Sequence, residues 1–101
     1  MGLLSEYFPD LTGFDWDAGN SDKNWLAHDV TQGETEQAYF NRPVMVLRDS
    51  LHSHTEPRYF VLGQANAGRR LTVAFTIQRN LVRPIMARDM SRPERRLFGG
   101  T

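Results

Sequence analysis

Residues 71–77, Leu-Thr-Val-Ala-Phe-Thr-Ile, alternate without interruption between large apolar side chains and small or hydroxyl ones. A period of two predicts a strand with one face turned to a core. Leu71, Val73, Phe75 and Ile77 fall on one face, and Thr72, Ala74 and Thr76 fall on the other, where small side chains leave room for a ligand or partner. The apolar run Tyr59-Phe60-Val61-Leu62 predicts a preceding strand, and residues 64–68 a turn in which Asn66 or Gly68 takes positive φ. Residues 78–80 predict a tight turn into a further strand over 81–87. Pro84 interrupts that strand, and because proline has no amide to donate, the strand is expected at an edge or bulged there. A fourth strand is expected over 44–47, followed by a polar loop over 48–57.

Helix signals lie on either side of these strands. Thr31-Gln32-Gly33-Glu34 and Ser91-Arg92-Pro93-Glu94 each match a capping box, in which a hydroxyl and a carboxylate satisfy the free amides of a helix start. They predict helices to about Phe40, stopped by Pro43, and to Phe98, ended by Gly99 and Gly100. Asp17 predicts the N-cap of an earlier helix over 18–28, weakened by Gly19. Strands in succession with short turns imply an antiparallel meander with helices on one face. The expected fold is therefore α+β, with two N-terminal helices, a four-stranded antiparallel sheet and a short C-terminal helix. Residues 1–13 are expected to be an N-terminal extension, 14–98 a single domain and 99–101 a tail.

The 101 residues suffice for one domain with one core, and 40% hydrophobic and 24% charged residues are ordinary for a globular chain. The formal net charge is zero, which argues against a general nucleic-acid coating protein but not against a local site. Half of the Lys and Arg residues fall in the last 23 positions: Arg79, Arg83, Arg88, Arg92, Arg95 and Arg96. With no cysteine there is no thiol nucleophile and no thiolate metal site. No apolar run is long enough to span a membrane and no secretory signal is visible, so a cytoplasmic location is expected.

The chemistry-bearing residues are sparse. There is no G-x-S-x-G elbow and no phosphate-cradling glycine loop. His52 and His54 sit in the polar loop, where a metal would need Asp49 or Glu56 as a third ligand; a solvated loop is the simpler reading, and no metal site or cofactor is expected. His28 at the end of the first expected helix suits either carbonyl capping or proton transfer. Arginine is the residue for bidentate phosphate recognition and for stabilising charge on a phosphorane. Arg58, Arg83 and Arg88 lie on or beside the expected strands, whereas Arg92, Arg95 and Arg96 are expected to solvate the closing helix.

Several segments follow one another in an order that carries a resemblance. Phe14-Asp15-Trp16-Asp17, Lys23-Asn24-Trp25 and His28-Asp29-Val30 come first. Glu56-Pro57-Arg58-Tyr59, Leu62-Gly63, Gly68-Arg69-Arg70-Leu71, Phe75-Thr76 and Arg83-Pro84-Ile85 follow, and Ala87-Arg88-Asp89-Met90-Ser91 with Glu94-Arg95 closes the set. Together they resemble the BrnT family of toxins over residues 14–98. The resemblance implies a RelE-like fold and a metal-independent ribonuclease that inhibits translation. It implies a small ribbon-helix-helix antitoxin, BrnA-like, as partner, with DNA reached only through that antitoxin and no membrane association. It places His28, Arg58, Arg83 and Arg88 as candidate catalytic residues. Trp16, Lys23, Arg70 and Arg79 become candidate RNA contacts, Trp16 by stacking on a base or else as a buried aromatic. The chain departs from the family pattern at Ala27, Gln78-Arg79, Met86 and Phe98, where lysine, Arg-Gly, serine and tyrosine are usual. These departures imply weakened activity; the alternative is a catalytically degenerate homologue that acts as an antitoxin-binding or regulatory module.

Overall fold

The computed structural model describes residues 3–21, 28–52 and 55–99. In chain order the elements are β1 (Gly13–Phe14), α1 (Gln32–Phe40), β2 (Met45–Arg48), β3 (Arg58–Gln64), β4 (Arg70–Gln78), β5 (Leu81–Asp89) and α2 (Arg92–Phe98). They form one five-stranded sheet in the order β1-β5-β4-β3-β2. The meander β2 to β5 is antiparallel, as the turn signals predict, but β1 pairs in parallel with β5, Gly13 opposite Leu81 and Phe14 opposite Val82.

The expected four-stranded antiparallel sheet with two N-terminal helices is therefore corrected to a five-stranded mixed sheet with two helices among the described residues, one central and one C-terminal. The fifth strand is two residues long, too short to show any alternation. Main-chain bonds fix its pairing, with Thr12 N donating to Asn80 O and Asp15 N to Val82 O, both at 2.8 Å, and the Phe14 ring packs edge-on against Tyr39 of the core. Residues 18–21 form a turn rather than the start of a helix. Asp17 uses its side chain there as an Asx acceptor for Gly19 N (2.8 Å), and Asn20 Nδ2 donates to Asp15 O and Pro84 O. The rest of the helix expected over 18–28 lies outside the described residues, save His28.

Both capping boxes form as predicted, each with reciprocal side-chain and backbone bonds. Gly68 (φ 95°) closes the β3–β4 turn, while Arg79 and Asn80 take positive φ in the β4–β5 turn. Pro84 is accommodated by a bulge: the β4–β5 register shifts between Ala74 and Phe75, leaving Ile85 as the extra residue on β5.

The alternation of β4 divides the molecule into two layers. Leu71, Val73 and Phe75 are fully buried against Val61, Val82, Ala87 and the α1 residues Ala38 and Tyr39. Phe75 meets Phe8 and Tyr39 edge-on and Tyr59 at a tilt, with ring centroids 6.3, 5.4 and 5.5 Å away, each pair adding about 0.5–1.5 kcal/mol beyond burial. Gly63 lets α1 approach this closely, since a Cβ there would overlap the Ala38 carbonyl. Residues 1–13, expected as an extension, supply Leu3 and Leu4 to the same core. Across the sheet, Leu62, Met90 and Phe98 form a smaller cluster with Met45 and Leu47, where α2 covers one end. Among the described residues no helix covers the other end of that face.

Candidate functional site on the open sheet face

Residues directly opposite in neighbouring strands point to the same face. The register therefore builds three rows across β3, β4 and β5 on the face away from α1. They are Leu62–Thr72–Arg88, Phe60–Ala74–Met86 and Arg58–Thr76–Arg83. The small middle residues Thr72, Ala74 and Thr76 are themselves buried. The first row lies under α2, and the third lies at the open end. Beside it is a cavity of about 210 Å³ lined by His52, Thr55, Glu56, Arg58, Thr76 and Ile85. The bulge at Pro84 turns Ile85 into this cavity.

The loop after β2 supplies the acidic component. Asp49 is buried, its carboxylate 5% exposed. Its amide donates to Arg58 O at 2.8 Å, prolonging the β2–β3 ladder by one bond. Asp49 Oδ2 lies 2.9 Å from His52 Nδ1 and 3.4 Å from Arg58 Nε, and Oδ1 accepts from His52 N at 3.3 Å. Burial pushes the Asp49 carboxyl up. The His52 ring bond, together with the charges of His52 and Arg58, outweighs that and holds it below the usual carboxylate range. An ionised Asp49 places the His52 proton on Nδ1 and leaves Nε2 as the outward nitrogen. Glu56 faces Gln78, whose Nε2 lies 3.3 Å from its carboxylate.

Arg83, on the other side of Thr76, is held end-on by Asp17, with Nη1 to Oδ2 at 3.0 Å and Nη2 to Oδ1 at 3.1 Å, and Asp15 lies 3.5 Å away. The Asp17 bond raises the Arg83 pKa above its ordinary value. Its five-donor fork has further N–H groups beyond those two. Arg79, in the β4–β5 turn, extends the basic surface at this same end.

The other candidates lie elsewhere. Arg88 forms a bidentate pair with Glu94 (2.7 and 2.9 Å), and Glu94 also accepts from Thr72 Oγ1 and Ser91 N. This carboxylate ties β5 and β4 to the start of α2. His28 is exposed, and its carbonyl accepts from Arg69 Nη2 at 3.2 Å. Arg69 also reaches Asp89 (2.7 Å) and Asp29 O (2.6 Å). Arg70 lies over the Phe98 ring, 5.8 Å from its centroid. Arg69 and Arg70 line a second cavity of about 300 Å³ with Gly68, Asp89 and Arg95. This end is six residues along β4 from Thr76, roughly 20 Å at about 3.3 Å per residue. His28 and Arg70 are thus separated from Arg58 and Arg83. Trp16 Nε1 donates to Glu36 of α1 at 2.7 Å, which docks the indole toward the helix layer. Lys23 lies outside the described residues.

His52 and Asp49 join the site although the sequence reads them as part of a solvated loop. The signal was present as a carboxylate three residues before a histidine at a strand end, and only the β2–β3 pairing brings it to Arg58.

The family described as "Ribonuclease toxin, BrnT, of type II toxin-antitoxin system" matches residues 16–94. The chain belongs to the BrnT family. The match covers most of the chain, and with it the open-face residues from Asp17 to Ile85. BrnT membership makes the chain a ribonuclease toxin of a type II toxin–antitoxin pair, with an antitoxin as its partner. No curated protein sequence matches the chain. Among the described residues no helix is long and apolar enough to cross a membrane.

Proposed function

We propose that this BrnT chain cleaves RNA on the open sheet face, with Arg58 and Arg83 gripping the scissile phosphate from either side of Thr76. The pair of arginines flanking a small residue beside an open cavity is the observation that carries the reading. Cleavage through the ribose 2′-oxygen builds negative charge on the phosphate, and two guanidiniums fixed on rigid strands stabilise that charge. These cations supply the electrostatic role that a metal ion would otherwise fill, so the reaction proceeds without one. Arg79 extends the RNA contact. Cutting RNA in the cytoplasm stops translation, and a BrnA-like ribbon-helix-helix antitoxin relieves it and carries the complex to DNA.

The test is induced expression in bacteria of the chain alone, with RNA integrity and growth followed, and incubation of the purified chain with RNA in EDTA. The unaltered chain and His28→Ala are expected to arrest growth and to cleave. Arg58→Ala and Arg83→Ala are expected to do neither. Soluble, folded chain that leaves growth and RNA intact would overturn the proposal.

A further inference from the structure

The arginines bind charge but move no proton, because guanidinium stays protonated. Cleavage through the 2′-oxygen needs a base beside the phosphate. His28 sits at the far end of β4. At the near end, among the described residues, the imidazole that lines the cavity is that of His52, and it shares the cavity wall with Arg58 and Thr76. Its side chain is 58% exposed, so a substrate reaches it, while its Nδ1 is held by the buried Asp49 carboxylate at 2.9 Å.

We infer that His52 is the general base of the RNA cleavage and that Asp49 is its positioning residue, an inference that rests on the nuclease reading of this face. Nε2 of neutral His52 takes the proton of the ribose 2′-hydroxyl. The 2′-oxygen bonds to phosphorus, and the bond from phosphorus to the 5′-oxygen breaks. The departing 5′-oxygen takes a proton from solvent, and His52 later returns its own to solvent. The products are a 2′,3′-cyclic phosphate and a 5′-hydroxyl, with no oxidant, reductant or further reactant consumed. Asp49 serves in two ways. It fixes the tautomer that leaves Nε2 unprotonated, and its charge stabilises the imidazolium formed in the step. It also lies 3.4 Å from Arg58 Nε, so one buried carboxylate sets the base and a phosphate cation relative to each other.

The test is single-turnover cleavage of a short RNA by the purified chain between pH 5 and pH 9, with RNA affinity measured on an uncleavable 2′-deoxy analogue. Among the described residues the charged and titratable groups that touch the ring or share its cavity are Asp49, Arg58 and Glu56; Thr76 and Ile85 of the neighbouring strands carry no charge. For the unaltered chain the rate is expected to rise with pH as an imidazole deprotonates and then to level. His52→Gln is expected to lower the rate about 100-fold or more and to flatten that rise, with affinity unchanged. Asp49→Asn is expected to lower the rate about 10-fold or more while keeping the pH rise, since the base is still present but unaligned. Asp49 is buried, so its variant is scored with its thermal midpoint, while the exposed His52 carries the test by itself. Equal cleavage by His52→Gln and the unaltered chain overturns this inference alone. An unaltered chain that leaves the RNA whole overturns the nuclease reading and this inference with it.

Discussion

Arg58 and Arg83 face the same side of the sheet from opposite sides of Thr76, one strand away in each direction. Their surroundings differ. Arg58 shares the buried Asp49 with His52, whereas Arg83 is held by Asp17 and Asp15 from the turn after β1. Asp17 is drawn below the usual carboxylate range, chiefly by the Arg83 bond, so its charge persists wherever RNA would be bound. It therefore opposes a phosphate approaching Arg83. Asp17→Asn is expected to tighten binding of a 2′-deoxy oligonucleotide several-fold. It should also steepen the dependence on salt by about 0.7 in log–log slope, the value of one added phosphate contact on a single strand. Fluorescence anisotropy across a potassium chloride series reads both, and unchanged or weaker binding would sink the argument.

Glu94 holds the opposite end of the same face. The Arg88 guanidinium does most to lower its pKa, burial opposes it, and the Ser91 amide and Thr72 hydroxyl add to the lowering, to about 2. A folded-state value below the unfolded one stabilises the protein above the unfolded value of 4.5, and that stability drains as pH falls from 4.5 through about 2. Allowing for solvent screening, the contribution at pH 7 is about 2 kcal/mol. Urea unfolding of Glu94→Gln should show that deficit at pH 7, and the gap should shrink steadily between pH 5 and pH 2. Arg88→Gln should share the deficit while its folded fraction cleaves RNA within about threefold of the parent rate. A large rate loss at unchanged stability would instead make Arg88 part of the cleavage site.

Leu4 is fully buried in the main core, although it belongs to the stretch that reads as an extension. It takes φ 47°, uncommon for leucine, and its carbonyl accepts from Tyr7 N and Phe8 N at 2.9 and 2.8 Å. Removing its side chain empties core volume, so Leu4→Ala is expected to cost about 2–4 kcal/mol in equilibrium unfolding. A solvated extension would lose about 0.5 kcal/mol or less. The two outcomes are well separated in the urea midpoint.

Particular residues show how far the chain can be read unaided. Thr31 with Glu34 and Ser91 with Glu94 determine where α1 and α2 begin, because a capping box is a contact across three residues. The alternation of β4 assigns Leu71, Val73 and Phe75 to a core and Thr72, Ala74 and Thr76 to a second face, because side-chain direction along a strand has a period of two. Pro84 announces the bulge, because its missing amide is a property of the residue itself. Each of these signals is complete within a few positions. Phe14-Asp15-Trp16 reads equally as a short strand or a docked loop, and no local signal chooses between them, since the strand's partners lie 68 positions away. Leu3 and Leu4 read as part of an N-terminal extension, because their core partners are likewise distant in sequence. The site divides along the same line. The arginines are suited to phosphate by their chemistry, whereas tertiary pairing decides which of them lie side by side. It joins Arg58 and Arg83 through Thr76, commits Arg88 to Glu94, carries His28 to the far end and brings His52, backed by the buried Asp49, to the cavity. Local chemistry determined what each residue is able to do, and long-range strand register, invisible in any short window, decided which residues share a site.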